Sequence, residues 1–229
     1  MPDLEIIEHP SPNHDARPDG QAIDILLLHY TGMKSGAEAL ERLCDPAAKV
    51  SAHYMVEEDG RIFQLVSESR RAWHAGAAEW QGASDINARS IGVEIVNPGH
   101  EFGYRSFPAE QMAAVKRLCL DILARHSIPA ERVLGHSDVA PLRKEDPGEL
   151  FDWRGLAAAG IGIWPESASA AVLEGAVGKA LKRVGYGYTE EDLPAVIRAF
   201  QRRYRPNGLT GTADAETRRR LAALLAVID

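Results

Sequence analysis

The chain has 229 residues, 26% of them charged, and a formal net charge of −7 at pH 7. This acidic balance argues against a general nucleic-acid-binding surface, which needs clustered lysine and arginine. No apolar run is long enough to cross a bilayer, so we expect no membrane span. The length fits one large domain or two small ones.

The N-terminal segment is polar and lacks the basic start and apolar stretch of a secretory signal. The two cysteines, Cys44 and Cys119, have apolar neighbours in helical patterns, and we expect two buried free thiols rather than a disulfide. These features predict a cytoplasmic protein, and a periplasmic one is the alternative if a signal has been removed.

The first strong pattern in chain order is an apolar run at residues 23–32, which contains His29 and closes on a glycine. A short run of this kind predicts a buried strand. A polar residue at the end of such a strand lies at the rim of the sheet, where α/β proteins form their sites. Ser35 is a suitable N-cap for a helix that extends to Cys44.

The next segment predicts a β-hairpin. Residues 49–57 alternate well enough for a strand that carries His53, and residues 61–66 form the returning strand. Asp59-Gly60 between them is a typical hairpin turn. Residues 71–85 have no such pattern and are expected to form a loop.

Residues 91–96 form an apolar run with Glu94 inside it, which predicts a central strand. A buried carboxylate costs several kcal/mol unless it is paired or protonated. Glu94 is therefore either ion-paired, for example with Arg89, or held in a cleft with a shifted pKa for a functional reason.

Three further elements precede the last motif. Residues 98–106 are expected to form a loop at the border of a cleft, and residues 108–126 an amphipathic helix. Residues 132–134 predict a short strand that leads into His136.

The segment at residues 135–148 holds a histidine, a lysine and a carboxylate but cannot be one regular helix. Pro141 and Pro147 each lack an N–H and push the preceding residue out of the helical region. Lys144 and Asp146 are two residues apart in extended chain, so they can face one site together. Taken alone, the segment would be interpreted as a solvated charged loop.

Combined with the first strand, this segment supplies His29, His136 and Asp146. Three protein ligands and an open position for water are typical of catalytic zinc. Nitrogen and oxygen ligands without a thiolate also permit other divalent metals.

Six motifs together resemble the type 2 N-acetylmuramoyl-L-alanine amidases, a family of bacterial peptidoglycan-recycling amidases and animal peptidoglycan-recognition proteins. The resemblance runs from about residue 23 to residue 164. The motifs, in chain order, are His29-Tyr30-Thr31, Ser51-Ala52-His53-Tyr54, Arg71-Ala72-Trp73-His74-Ala75-Gly76, Ser90-Ile91-Gly92-Val93-Glu94, Gly135-His136-Ser137-Asp138, and Arg143-Lys144-x-Asp146-Pro147-Gly148.

The resemblance implies a zinc ion on His29, His136 and Asp146, with Glu94 and Lys144 as the catalytic pair. It implies a central mixed β-sheet flanked by helices, an α/β fold. It also implies a peptidoglycan or muropeptide substrate and hydrolysis of the amide between N-acetylmuramic, or 1,6-anhydro-muramic, acid and L-alanine. The residues expected to contact substrate are His53, Tyr54, Trp73, His74 and Asn97.

The C-terminal region has a different composition. Residues 170–229 hold 10 basic and 7 acidic residues, whereas the rest of the chain holds 16 and 26. Amphipathic patterns predict three helices, at 170–184, 190–204 and 214–227. The region resembles the small three-helix peptidoglycan-binding domain of wall hydrolases, which predicts an amidase domain at 1–168 and an all-α domain at 169–229. A helical bundle that only stabilises the first domain is the alternative.

The leading hypothesis is therefore a metal-dependent amidase, with no nucleic-acid partner and a monomeric chain. The main alternative is a muropeptide-binding recognition protein without activity, which would lack a metal ligand. A serine or cysteine hydrolase is a weaker alternative, because the sequence has no Gly-x-Ser-x-Gly motif.

Overall fold

The computed structural model describes residues 4–166 and 168–229. The strands in these ranges are β1 (Ile7–Glu8), β2 (His14–Ala16), β3 (Ile25–Tyr30), β4 (Tyr54–Val56), β5 (Ile62–Gln64), β6 (Arg70–Ala72), β7 (Ser90–Ile95) and β8 (Val133–Gly135). The helices are α1 (Gly36–Cys44), α2 (Ile86–Arg89), α3 (Gly99–Phe102), α4 (Ala109–Arg125), α5 (His136–Val139), α6 (Trp153–Ala157), α7 (Val177–Val184), α8 (Leu193–Tyr204) and α9 (Ala215–Ile228). Short 3-10 turns cover Ala130–Arg132 and Glu174–Ala176.

Among the described residues, six strands form one mixed sheet in the order β1-β5-β4-β7-β3-β8. Strands β7, β3 and β8 are parallel neighbours, and β4 and β5 are the antiparallel pair expected from the Asp59-Gly60 turn. The predicted mixed sheet with flanking helices is therefore confirmed. The mixture arises because the hairpin needs only a tight turn, whereas parallel neighbours need long crossover connections.

The expected loop at residues 71–85 is wrong at its start. Strand β6 pairs in antiparallel register with β2, with His14 opposite Ala72 and Ala16 opposite Arg70. These partners are more than fifty residues apart in the chain, so no local pattern predicts the pairing. The N-terminal arm is thereby fixed against the site region.

The two faces of β3 contact different helices because successive side chains on a strand point to opposite sides. Leu26 and Leu28 belong to a buried cluster with one face of α4. Ile25 and Leu27 belong to a second cluster whose other members include Leu181 and Phe200 of the C-terminal helices, together with Val177, Val184, Tyr186 and Leu221. The sheet is thus covered on both faces.

The three C-terminal helices are present, and they share a hydrophobic core with the sheet. The first begins at Val177, later than expected, because a 3-10 turn that contains Gly175 occupies residues 174–176. The division into domains at residues 168 and 169 stays a prediction.

Two smaller expectations concern membrane and redox chemistry. Within the described ranges, no helix combines the length and the apolarity that a bilayer crossing requires. Both cysteines are free; Cys119 is buried as expected, whereas Cys44 is partly exposed because it lies at the last turn of α1.

Candidate metal centre and catalytic cleft

The register of the three parallel strands assembles the site. His29 of β3 lies opposite Glu94 of β7, and Leu28 lies opposite Gly135 of β8, which immediately precedes His136. The carboxyl ends of parallel strands meet at one edge of a sheet, where α/β proteins place their ligands. A histidine, a carboxylate and a second histidine thus arrive at one place from three separate segments.

His29, His136 and Asp146 converge as the sequence predicted. The Nδ1 atoms of the two histidines are 3.0 Å apart, and each is 3.0 Å from Oδ2 of Asp146. All three side chains are buried. An ion with tetrahedral bonds of ~2.0–2.1 Å separates its ligand atoms by roughly 3.3 Å, so this triangle is close to the size that zinc requires.

The outward-facing ring nitrogens establish which nitrogens point to the centre. His136 Nε2 lies 2.9 Å from the carbonyl oxygen of Ala75, which can only accept, so Nε2 carries the proton. His136 Nδ1 therefore presents a lone pair to the centre. A bond of this kind fixes the tautomer of a metal-binding histidine.

The tautomer of His29 is fixed by a longer chain of hydrogen bonds. The Ser90 hydroxyl donates to the Ile86 carbonyl at 2.7 Å, so its oxygen accepts from His74 Nε2 at 3.3 Å. His74 Nδ1 is then unprotonated and accepts from His29 Nε2 at 3.0 Å. His29 Nδ1 consequently presents its lone pair to the centre.

The protonation states agree with this arrangement. Burial, followed by the charge of His136, lowers the pKa of His29 to about 4. Burial would raise the pKa of Asp146, but the neighbouring His136 and His29 outweigh it and hold that pKa well below its usual range. Both groups are therefore deprotonated near neutral pH, which metal binding requires.

Glu94 has no ion-pair partner of the kind considered from the sequence. Arg89 instead pairs with Asp24, outside the cleft. Within the described part of the chain, Glu94 Oε2 is inaccessible to solvent and has no hydrogen-bond partner. Burial, followed by the charge of Asp146, raises the pKa of Glu94 well above its usual value. An unpaired, raised carboxylate beside a cleft is typical of a proton-transferring group.

A cavity of about 690 Å³ opens over these residues. Glu94, Lys144, His136 and Asp146 all line it, so Lys144 and Asp146 do face one site together. The other lining side chains include aromatic and basic groups that motif reasoning left without a role: Tyr30, Arg42, His100, Phe102 and Arg143. Such groups come from β3, α1, α3 and the loop after α5, and only the fold brings them to the cleft.

The five residues expected to contact substrate separate into two groups. Trp73 and His74 line the cavity. His53, Tyr54 and Asn97 are buried and are not among its lining residues. Each of these three has polar partners elsewhere in the protein.

Those partners explain the burial. The His53 ring accepts from the Gly92 N–H at 2.9 Å, and the Tyr54 hydroxyl donates to Glu68 at 2.8 Å. The Asn97 amide donates to the Arg105 carbonyl at 2.8 Å and its oxygen accepts from Gly99. In this structure the three residues support the sheet and the cleft loop, and their contact with a substrate stays a prediction.

Ser90 belongs to one of the six motifs, but no role was predicted for it. Its hydroxyl completes the chain that fixes His29, but a serine at the start of a strand carries no signal of such a role. The close contact of His74 with Gly92 is equally hidden, since an added Cβ at Gly92 would lie 2.5 Å from the His74 ring.

Comparison with known proteins identifies the family to which this chain belongs. The pattern of the family described as N-acetylmuramoyl-L-alanine amidase matches residues 19–149. The chain is 37% identical to the N-acetylmuramoyl-L-alanine amidase AmiD of Escherichia coli, over 96% of this chain and 90% of AmiD. It is 36% identical to the 1,6-anhydro-N-acetylmuramyl-L-alanine amidase AmpD of the same organism, over 63% of this chain and 86% of AmpD.

Comparison with solved structures points to the same family. AmiD in complex with anhydro-N-acetylmuramic acid-L-Ala-D-γ-Glu-L-Lys superposes with a TM-score of 0.81 at 36% identity, covering 92% of each chain. AmpDh3 of Pseudomonas aeruginosa in complex with anhydromuramic pentapeptide gives a TM-score of 0.83 at 32% identity, covering 92% of this chain and 94% of that one. The chain belongs to the N-acetylmuramoyl-L-alanine amidase family and is an amidase that hydrolyses the bond between N-acetylmuramic acid and the L-alanine of peptidoglycan.

Proposed function

We propose that His29, His136 and Asp146 hold a catalytic zinc ion. The observation that carries this proposal is the convergence of two imidazole lone pairs and a carboxylate oxygen, mutually 3.0 Å apart, in a buried site. Three acceptors at this spacing repel one another unless a proton or a cation lies between them. The outward hydrogen bonds of both imidazoles already hold their protons on Nε2, which favours a cation.

The catalytic roles follow from the neighbours of this centre. A zinc ion held by His29, His136 and Asp146 would supply Lewis acidity toward a water molecule and the scissile carbonyl. Glu94 lines the cavity, and its carboxylate accepts the proton of the attacking water and later delivers it to the leaving amine of L-alanine. Lys144 lines the same cavity and stabilises the negative charge that develops on the carbonyl oxygen.

We also propose that the substrates include muropeptides with a 1,6-anhydro sugar. AmiD and AmpDh3 were solved with ligands of this kind, and this chain follows both structures over 92% of its length. The cavity is large enough for more than one residue of such a ligand.

The metal centre is tested by elemental analysis of purified protein. We expect about one zinc per chain, and His136→Ala should lose most of it and nearly all activity. His100→Ala is the matched control because His100 lines the same cavity without touching the three ligands. Full zinc occupancy in His136→Ala would refute the ligand assignment.

The substrate is tested by mass spectrometry of products from defined muropeptides with and without the 1,6-anhydro ring. We expect free L-Ala-peptide and the corresponding muramic product from the anhydro compound. Cleavage of only the compounds without the anhydro ring would refute this part of the proposal and leave the metal centre untouched.

A further inference from the structure

Asp138 connects the metal-binding segment to the C-terminal helices. It lies in α5, two residues after His136, and its side chain is 1% exposed. Its Oδ2 accepts from the Gly135 N–H at 2.9 Å and from Arg203 Nη1 at 2.9 Å. Its Oδ1 accepts from the Tyr186 hydroxyl at 2.7 Å. Two of these three donors come from beyond residue 177.

The corner at residues 135–138, which contains Asp138, also positions the two later ligands, His136 and Asp146. The backbone N–H of Ser137, between His136 and Asp138, donates to the carbonyl of Asp146 at 2.9 Å. The corner has little free space, since an added Cβ at Gly135 would lie 2.8 Å from Pro147. A displacement of Asp138 would therefore move His136 and Asp146 relative to His29.

Arg203 and Tyr186, the two donors from the C-terminal region, are both buried. The Arg203 side chain is 3% exposed, and its guanidinium stacks over the Trp153 ring at 4.1 Å. Tyr186 is fully buried, with its ring against Trp80 at a centroid distance of 5.0 Å. Both donors are rigidly packed, and a buried carboxylate depends strongly on such partners.

The adjacent Arg202 reaches the other end of the same segment. It pairs with Glu145 at 3.0 Å, directly before the ligand Asp146 and after Lys144. Glu145 is 53% exposed, so this surface pair contributes little by itself. It shows, however, that α8 contacts the segment at two points.

The geometry points to Tyr186 and Arg203 as positioning residues of the amidase site. By holding Asp138, they keep residues 135–146 in the shape that brings His136 Nδ1 and Asp146 Oδ2 to ligand distance. The family pattern ends at residue 149, so both positioning residues lie outside the segment that defines the family. This inference rests on the proposed metal centre.

The test compares zinc affinity, steady-state kinetics and the visible spectrum of the cobalt-substituted protein for Arg203→Met, Tyr186→Phe and a control, Arg205→Met. Arg205 is the control because it lies two residues after Arg203 and is also ion-paired in the C-terminal region, but it is partly exposed and its partners are Asp214 and Glu216. Both arginine variants should lower the melting temperature. Only loss of Arg203 should also disturb the metal.

Direct hydrogen-bond partners of metal ligands typically change affinity by 10–100-fold. Arg203 and Tyr186 act one step further out, through Asp138, so we expect effects at or below the lower end, roughly 10-fold weaker zinc binding for Arg203→Met and roughly 3-fold for Tyr186→Phe. The cobalt spectrum should shift, and kcat should fall more than KM rises, because the variants touch ligand geometry and not the substrate surface. Arg205→Met should leave all three readouts at wild-type values.

Equal zinc affinity, cobalt spectrum and kcat in the wild type, Arg203→Met and Arg205→Met would overturn the inference and leave Arg203 as a core anchor. If Arg203→Met does not fold, Tyr186→Phe decides, since it removes one hydroxyl and keeps the ring. Wild-type affinity in that variant would then overturn the inference. A wild-type protein that binds no zinc would instead refute the proposed metal centre.

Discussion

Replacing His74 by phenylalanine should weaken zinc binding without removing any ligand. His74 accepts the hydrogen bond from His29 Nε2 at 3.0 Å, and this bond keeps the proton off Nδ1. Phenylalanine preserves most of the ring volume but has no acceptor. In the variant, His29 can carry its proton on Nδ1 and share it with Asp146 Oδ2, which is 3.0 Å away. Zinc must then displace that proton.

The magnitude follows from how the bond changes when the metal binds. A neutral hydrogen bond contributes about 0.5–1.5 kcal/mol net, and one to a charged partner about 1.5–3 kcal/mol. The bond from His29 strengthens towards the second range when its ring is bound to a cation, which gives a difference of about 1–1.5 kcal/mol. Adding the competing tautomer, we expect zinc affinity to fall by roughly 10–100-fold, as for other outer partners of metal ligands.

The assay is a zinc competition titration against a chromophoric chelator, with urea unfolding of the metal-free proteins as a check on stability. His100→Phe is the matched control, because it is the same substitution at a histidine that lines the same cavity but bonds to Tyr30 and Glu149. Ser90→Ala should give an intermediate loss, since it frees the tautomer of His74 without removing its ring.

Gly92→Ala gives an independent perturbation, because its new Cβ would lie 2.5 Å from the His74 ring and must displace it. If His74→Phe binds zinc as tightly as His100→Phe and the wild type, the hydrogen-bond chain does not set the tautomer of His29. The ligand geometry would then need another explanation.

Four further expectations concern catalysis, pH, the chain's organisation and its location. Glu94→Gln and Lys144→Arg should both keep zinc, yet each should lower kcat by roughly 10²–10³, and near-full turnover in Glu94→Gln would make Glu94 a structural carboxylate. Burial and the charge of Arg17 lower the pKa of His53 to about 3, so the unfolded chain binds an extra proton at this residue below pH 6.5. The contribution of His53 to the free energy of unfolding should therefore fall by about 2–3 kcal/mol between pH 6.5 and 4.5, and urea unfolding of His53→Gln should show a fall that is smaller by this amount. Removing residues 169–229 should reduce solubility and activity because it uncovers the apolar cluster on β3, and a folded, fully active 1–168 fragment would instead support two independent domains. Fractionation tests the cytoplasmic location, which stays a prediction, and recovery with the envelope would contradict it.

The local patterns that predicted individual elements were largely sufficient. Ser35 caps α1 by accepting from the Glu38 N–H, and the Asp59-Gly60 turn joins the expected hairpin. These features depend on neighbours in the chain, and their physics is contained in a few consecutive residues. The convergence of His29, His136 and Asp146 was also predicted, but from resemblance between motifs and not from spacing.

By itself, the sequence determined most element types, the set of candidate ligands and the family, although β6 and α3 lie in segments expected to be loops. Tertiary structure decided which residues line the cleft. His53 and Tyr54 belong to recognisable motifs, yet their polar groups form hydrogen bonds with Gly92 and Glu68 in the packed sheet. Conversely, Ser90 and Arg203 carry no local signal, because their roles depend on partners that are brought close only when strands and helices pack. Which groups form hydrogen bonds in a buried site depends on their distances in the folded structure. The separation of two residues along the chain does not predict these distances.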